Sequence, residues 1–286
     1  MKRAIDNFIL ILRMIKVEHS VFALPFALIS AMVAADGVPA WEKLLWILVA
    51  MISARSAAMA FNRLADSNID RLNPRTKNWP LASGILTRRF VIVFIAGCSA
   101  LFIYSAYRLN SLAFLLSPVA LLLIFFYSFT KRFTALSHWF IGLALAIAPA
   151  GAWIAVRGSL SYQPVLLSFA ILFWTAGFDL IYSCQDAEFD KSQNLFSVPS
   201  RLGKRIALIF STACHIAMIL FLLTFGYATR MGMWYFAGVF FVATLLFYEH
   251  SLVSPTDFSR VNEAFFTVNG LISVLLLLAT SLDLYF

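Results

Sequence analysis

Long apolar runs follow one another along this chain with only short polar breaks: Ser20–Ala35, Trp41–Ala65, Phe90–Tyr107, Leu112–Phe129, Trp139–Val156, Val165–Ser183, Ile206–Tyr227, Met233–Tyr248 and Ala264–Leu284. A helix of about 20 such residues, rising ~1.5 Å per residue, matches the ~30 Å hydrocarbon core of a bilayer. Inside that core every backbone amide must be satisfied within the segment, which leaves helices or a closed barrel. The runs are continuous and rich in Leu, Phe and Ala, where barrel strands alternate over ten residues or so, which disfavours a barrel. Composition agrees, with 62% hydrophobic and 13% charged residues over 286 positions. The chain is therefore read as an all-α polytopic membrane protein: nine transmembrane helices in one bundle, with residues 1–286 as a single domain.

The net charge of +8 raises nucleic acid as a partner, but the cations are unevenly placed. With the N-terminus inside, Lys2, Arg3, Arg13 and Lys16, then Arg63, Arg71, Arg75, Lys77, Arg88 and Arg89, then Lys131, Arg132, Lys191, Arg201, Lys204, Arg205 and Arg260 all fall on the cytoplasmic side. Only Lys43, Arg108, Arg157 and Arg230 fall on the other, so the charge reports topology and no nucleic-acid partner is expected. Nine spans then put the C-terminus outside. Ile5, Phe8, Ile9 and Leu12 recur at helical spacing among basic residues, which predicts an interfacial helix at the N-terminus. Met1–Lys16 is broken by Asp6, Arg13 and Lys16, unlike a cleavable signal, and no transit-type sequence is seen; both point to a prokaryotic cytoplasmic (inner) membrane. Cys98, Cys184 and Cys214 lie in or beside apolar runs and read as small membrane-embedded hydrophobes.

Against this background the carboxylates stand out. DLIYSCQDAEFD, Asp179 to Asp190, closes the sixth run, and on an ideal helix Asp179, Asp186 and Asp190 fall on one face. NRLADSNID, Asn62 to Asp70, closes the second and places Asn62, Asp66 and Asp70 at i, i+4 and i+8. Acids at membrane depth are costly and default to a functional reading. Crowded on one face they repel unless a cation sits among them. Both spans run outward to inward, so the negative pole of each helix dipole lies at the same acids and also favours a cation. The loops that follow, Arg71–Arg89 and Lys191–Arg205, carry Pro74, Pro80, Gly84, Pro199 and Gly203 and read as ordered lids rich in Arg and Lys.

Acids and bases together define a site of mixed charge. Mg²⁺ binds through one or two carboxylates plus substrate phosphates, and basic side chains take the remaining phosphate oxygens. A diphosphate on a lipid tail fits both the polar site and the bundle. Metal and cations would stabilise a departing diphosphate, which implies a carbocation electrophile. Arg71, Arg75 and Lys191 are the loop candidates for the diphosphate, although topology or anionic membrane lipid explains any one of them equally well. Arg55 lies inside the second span, where an isolated Arg is expensive, and its expected partner is a substrate anion or an acid of the site. His19, His138, His215 and His250 show no mutual ligand spacing and read as structural or interfacial.

At this level the chain resembles the UbiA superfamily of intramembrane prenyltransferases. The first family signature is matched at Asn62, Asp66 and Asp70, and the second at Asp179, Tyr182, Asp186 and Asp190. YSFTKRFTALSH, Tyr127 to His138, is similar to the family's YxxxKR segment, and KVEHSVFALPFA and YEHSLVSP extend the likeness to both ends. The resemblance implies a nine-helix bundle that binds a polyprenyl diphosphate through Mg²⁺ held by Asn62, Asp66, Asp70, Asp186 and Asp190. It implies Tyr127 and Lys131 as diphosphate contacts and Arg55 as the partner of an aromatic acceptor's carboxylate. Asp66, Asp179 and Asp186 become the catalytic candidates, with Asp179 orienting or deprotonating the acceptor hydroxyl, and Tyr182 divides between packing and acceptor binding. The implied acceptor is a hydroxylated aromatic acid, 4-hydroxybenzoate or, on a menaquinone route, 1,4-dihydroxy-6-naphthoate. Three positions depart from the family pattern: Arg63 stands where an acid is usual, Trp79 where Asn-Arg-Pro is frequent, with Lys77 the nearest replacement cation, and Asn194 where a Gly is usual, a position whose left-handed geometry Asn tolerates. From another class, a cation-coupled transporter would also use membrane acids, but would spread them near the midplane.

Overall fold

The computed structural model describes residues 10–12, 14–15 and 22–286. Ile5, Phe8 and Ile9 of the expected interfacial helix, His19 and the first half of KVEHSVFALPFA lie outside the described residues. The described chain is helical, its one β feature an isolated bridge between Ser254 and Asp257. The main helices are α1 Leu24–Ala35, α2 Trp41–Asp70, α3 Arg88–Leu109, α4 Ser111–Thr130, α5 Ser137–Arg157 and α6 Tyr162–Ser183. A 3₁₀ turn at Cys184–Asp186 leads into the short α7 Ala187–Ser192 and α8 Val198–Leu202. They are followed by α9 Lys204–Ala228, α10 Met233–Ser251, a π turn at Glu263–Val268 and α11 Asn269–Tyr285.

Among the described residues, 7 helices are long and apolar enough to cross a membrane: α2, α3, α4, α5, α6 with its extension to Ser192, α9 and the π turn with α11. Of the nine expected spans, the first is represented by the 12-residue α1. The eighth, α10, ends in Glu249 and His250 and falls outside the seven. The exposed faces carry Leu115, Leu122, Phe240 and Phe247, as lipid-facing helices require.

Packing divides the chain into two compact units, one of Met1–Ser20 and Leu45–Phe129, the other of Val21–Leu44 and Thr130–Phe286. In the first unit, α2 is 30 residues long, about 45 Å at 1.5 Å per residue, so it outruns the hydrocarbon core and delivers its acids at the far end. Its Ala60 joins Leu81 and Leu86 of the following loop and Val91 and Ile95 of α3 in a shared core. Phe61 stacks on Phe125 of α4 with centroids 4.4 Å apart. Thr87 caps α3, accepting from the Phe90 amide, and Asn110 accepts from the Ala113 amide at the start of α4.

In the second unit α6 is the central helix, packed against α5 and α9, while α1 packs on α5 and α11 on α10. Small residues permit the close approaches: Gly142 lies against the Leu172 backbone, Gly177 against the His215 ring and Gly238 against Ala279. Ser30 Oγ donates to the Pro149 carbonyl at 2.6 Å and Ser211 Oγ to that of Gly177 at 2.8 Å. The deepest polar contact is Asn269, whose Oδ1 accepts from Trp174 Nε1 at 2.6 Å and whose Nδ2 donates to Glu249 Oε1 at 2.9 Å. The same Nδ2 lies 3.0 Å from the Ala264 carbonyl, within a π turn whose i→i+5 pattern disturbs the ordinary helical ladder. Trp174, Glu249 and Asn269 are all fully buried.

Removing Asn269 strands buried partners that have no water to turn to. Asn269→Leu is expected to lower stability by about 2–5 kcal/mol, the cost of leaving one or two buried polar groups unsatisfied. A thermal melt in detergent checks this; an unchanged midpoint would contradict the central place given to Asn269.

Candidate functional site

In the first unit the last turns of α2 set Asn62, Asp66 and Asp70 one turn apart. Asn62 Nδ2 donates to Asp66 Oδ2 at 3.3 Å. Thr76 Oγ1 lies 3.0 Å from both the main-chain oxygen and Oδ1 of Asp70, folding the next loop back onto the helix end. Asp66 is 2% exposed and Asp70 8%, so neither is a surface acid at a helix terminus. Arg63 lies within electrostatic reach of Asp70, Tyr127, Asp66 and Arg75. Tyr127 is in turn within reach of Arg63, Asp66 and Arg55. Three guanidinium groups, two carboxylates and a phenol thus share one neighbourhood.

The loop after α2 is ordered, as its prolines predicted. Arg71 Nε donates to the Ala82 carbonyl at 3.1 Å, and the Arg75 amide donates to Asn73 Oδ1 at 2.9 Å. Arg88 Nη2 donates to Ser67 Oγ at 2.9 Å and Asn68 Oδ1 at 2.7 Å. Arg71, read as a diphosphate candidate, therefore spends its Nε on loop structure.

In the second unit Asp179, Asp186 and Asp190 follow one helical segment, but not on an ideal α-helical face. The 3₁₀ turn at Cys184–Asp186 overwinds the chain between the first acid and the last. Asp179 Oδ2 lies 2.7 Å from His138 Nδ1, and His138 Nε2 accepts from the Val198 amide at 3.3 Å. An Nε2 that accepts leaves the proton on Nδ1, so the ring donates to the carboxylate. Asp190 Oδ2 accepts from Ser197 Oγ at 2.9 Å, and Lys131, Asp186 and His138 are within its electrostatic reach. Ser197 also caps α8 in a reciprocal box with Ser200. The Phe196 amide donates to the Lys131 carbonyl at 2.7 Å, fastening the second loop beside the first basic residue of the YxxxKR-like segment. Asn194 adopts the left-handed conformation, φ 54°, that its side chain tolerates. Lys191 is exposed, and Tyr182 packs on Phe265 with centroids 4.3 Å apart.

His138 was set aside in the sequence as structural, yet it holds Asp179 and the second loop at once. The partners are 41 positions apart on different helices, beyond any local spacing signal; its place in YSFTKRFTALSH was the only cue. Ser197 and Thr76, which hold Asp190 and Asp70, gave no signal of their own.

Among the described residues no three or more His, Cys, Asp or Glu side chains gather into a metal cluster. The donors are instead carboxylate pairs, Asp66 with Asp70 and Asp186 with Asp190, each with a cation nearby. Hard oxygen donors of this kind fit Mg²⁺ that completes its shell with phosphate oxygens.

Long apolar helices with acids and bases gathered at their ends define a polytopic integral membrane protein. The chain belongs to the UbiA prenyltransferase family, whose match covers residues 23–271. It is 32% identical over 232 residues, 81% of each chain, to a 4-hydroxybenzoate octaprenyltransferase of Nitrosomonas eutropha. It is 30% identical over 88% of this chain and 86% of the other to one of Marinobacter nauticus. Among solved structures it matches the apo structure of a UbiA homolog from Aeropyrum pernix K1, with a TM-score of 0.85, 31% identity and coverage of 93% of this chain and 98% of that one. A UbiA homolog from Archaeoglobus fulgidus bound to DMAPP and Mg²⁺ shares the fold, with a TM-score of 0.74 and 19% identity over 96% of this chain and 98% of that one.

His138→Leu removes both the donor to Asp179 and the acceptor for Val198. Trypsin should then cut faster at Lys191 and Arg201 in folded protein; cleavage at the wild-type rate would contradict the tie between His138 and the second loop.

Proposed function

We propose that this chain is a Mg²⁺-dependent polyprenyltransferase that moves a polyprenyl group from its diphosphate to a hydroxylated aromatic acid of the 4-hydroxybenzoate kind, on the way to a respiratory quinone. The observation that carries the reading is the pairing of carboxylates with cations away from open water: the buried Asp66 and Asp70 with Arg63, and the part-buried Asp190, beside Asp186, with Lys131. A bare cation site needs acids alone and an anion site needs bases alone. A metal-chelated diphosphate needs both. The names of the relatives, 4-hydroxybenzoate octaprenyltransferases, support the same reading.

Asn62, Asp66, Asp70, Asp186 and Asp190 supply the oxygen donors for Mg²⁺. The bound metal would neutralise charge on the departing diphosphate and so ease cleavage of the allylic C–O bond. Tyr127, Lys131, Arg71, Arg75 and Lys191 take diphosphate oxygens, Arg71 through its terminal nitrogens because its Nε holds the loop at Ala82. The bond from C1 of the prenyl group to diphosphate breaks first, the diphosphate leaving with the electron pair; the ring carbon ortho to the acceptor hydroxyl then attacks the allylic cation, and that carbon loses its proton. Arg55 anchors the acceptor carboxylate, Tyr182 lines the acceptor's place, and Asp179, aligned by the His138 N–H, orients or deprotonates the acceptor hydroxyl. Residues 1–286 act as one transferase domain of the cytoplasmic membrane, with the N-terminus and the acidic helix ends inside and the C-terminus outside, as the basic bias directs.

Asp66→Ala and Asp190→Ala are each expected to lower turnover at least about 100-fold, the scale of losing one electrostatic contact to a developing charge. Folded yield in the membrane should stay the same. Retained turnover in either variant would remove that acid from the metal site. Arg55→Gln should raise KM for the aromatic acid and leave KM for the prenyl diphosphate in place; the reverse pattern would assign Arg55 to the diphosphate.

A further inference from the structure

Two of the three departures from the family pattern meet in space. Arg63 lies on α2 and Trp79 in the loop that follows, and the Arg63 guanidinium carbon is 3.7 Å from the centre of the Trp79 indole. Arg75 approaches the same ring at 5.9 Å. We propose that Arg63, seated on Trp79, is a diphosphate-binding residue, and that Trp79 is the platform that positions it. The proposal rests on the prenyl-transfer reading and adds to it a residue that the family pattern does not supply.

Three observations carry it. A guanidinium stacked face-on over an indole is held by its plane, which leaves its N–H edge free for a forked contact with phosphate oxygens. Arg63 Nε is buried with no hydrogen-bond partner, and a buried donor of that kind calls for an acceptor. Arg63 and Arg75 also flank one ring, so two guanidinium groups lie at one place. Asp70 and Asp66 attract Arg63 more strongly than Arg75 repels it, but Asn62 and Thr76 already bond to those acids and the proposed metal uses them as ligands. An anion beside Arg63 satisfies the buried donor and is met by both guanidinium groups. Lys77, the nearest substitute by sequence, is exposed on the same loop and takes no part in the stack. The cation that the loop lacks at Trp79 is thus supplied from α2.

The test uses the full-length protein in detergent or nanodiscs, with steady-state kinetics in both substrates, inhibition by inorganic diphosphate with Mg²⁺, and a thermal melt. Arg63→Gln should raise both KM for the prenyl diphosphate and Ki for inorganic diphosphate on the order of tenfold, with acceptor KM and melting midpoint held. Arg63→Lys should recover only part of the loss, because an ammonium lacks the fork and the flat face. Trp79→Phe should keep most of the affinity, Trp79→Ala should lose about threefold, and Arg63→Gln with Trp79→Ala should be no worse than Arg63→Gln alone. The proposal is overturned if Arg63→Gln leaves KM and Ki within twofold, moves acceptor KM or the midpoint alone, or adds fully to Trp79→Ala. If the wild type turns over normally and Arg63→Gln matches it, only this proposal falls. If the wild type neither turns over nor binds inorganic diphosphate, the prenyl-transfer reading falls with it.

Discussion

A carboxylate carried to the end of an apolar helix has lost most of its water and must be given donors or a cation. Both units are built around that demand. In the first, Asp66 is met by Asn62 from one turn earlier and Asp70 by Thr76 from the next loop. In the second, Asp179 is met by His138 and Asp190 by Ser197. Apart from Asn62, each donor belongs to the segment that follows an acid or packs beside it, so satisfying Asp70, Asp179 and Asp190 also ties down the loops. The order of the two loops is a consequence of the acids they serve.

These donors leave room for more. One hydrogen bond does not saturate a carboxylate, which accepts several, and the nearby Arg and Lys side chains answer charge without closing the site. Several of the bases also have local partners of their own: Arg71 donates to Ala82, Arg88 to Ser67 and Asn68, and Arg63 sits over the Trp79 ring. Phe265 packs ring to ring with Phe178 and Tyr182 at the same helix end that carries Asp179.

Much of this was legible in the sequence, and the limits are physical. Helix positions followed from run length, since the bilayer leaves the backbone no alternative, and the acids were found by their i, i+4 spacing on those helices. The span count was less secure, because α1 is short and α10 ends in Glu249 and His250. The 3₁₀ turn between Asp179 and Asp190 has no composition signal, so the one-face reading from ideal geometry did not hold in detail. His138, Ser197 and the Trp174–Asn269–Glu249 set escaped because each acts across tens of residues through tertiary contact. Arg63 and Trp79 were visible as separate oddities; that they form a pair was not.

The central claim is that these acids and bases serve transfer of a prenyl group to an aromatic acid. The most direct measurement is to incubate the purified protein in lipid with Mg²⁺, a mixture of prenyl diphosphates and either 4-hydroxybenzoate or 1,4-dihydroxy-6-naphthoate, then identify products by mass spectrometry. The account predicts a prenylated 4-hydroxybenzoate, released diphosphate in equal amount, and no product without Mg²⁺. Neither acceptor modified and no diphosphate released, beside an active control enzyme, would contradict it.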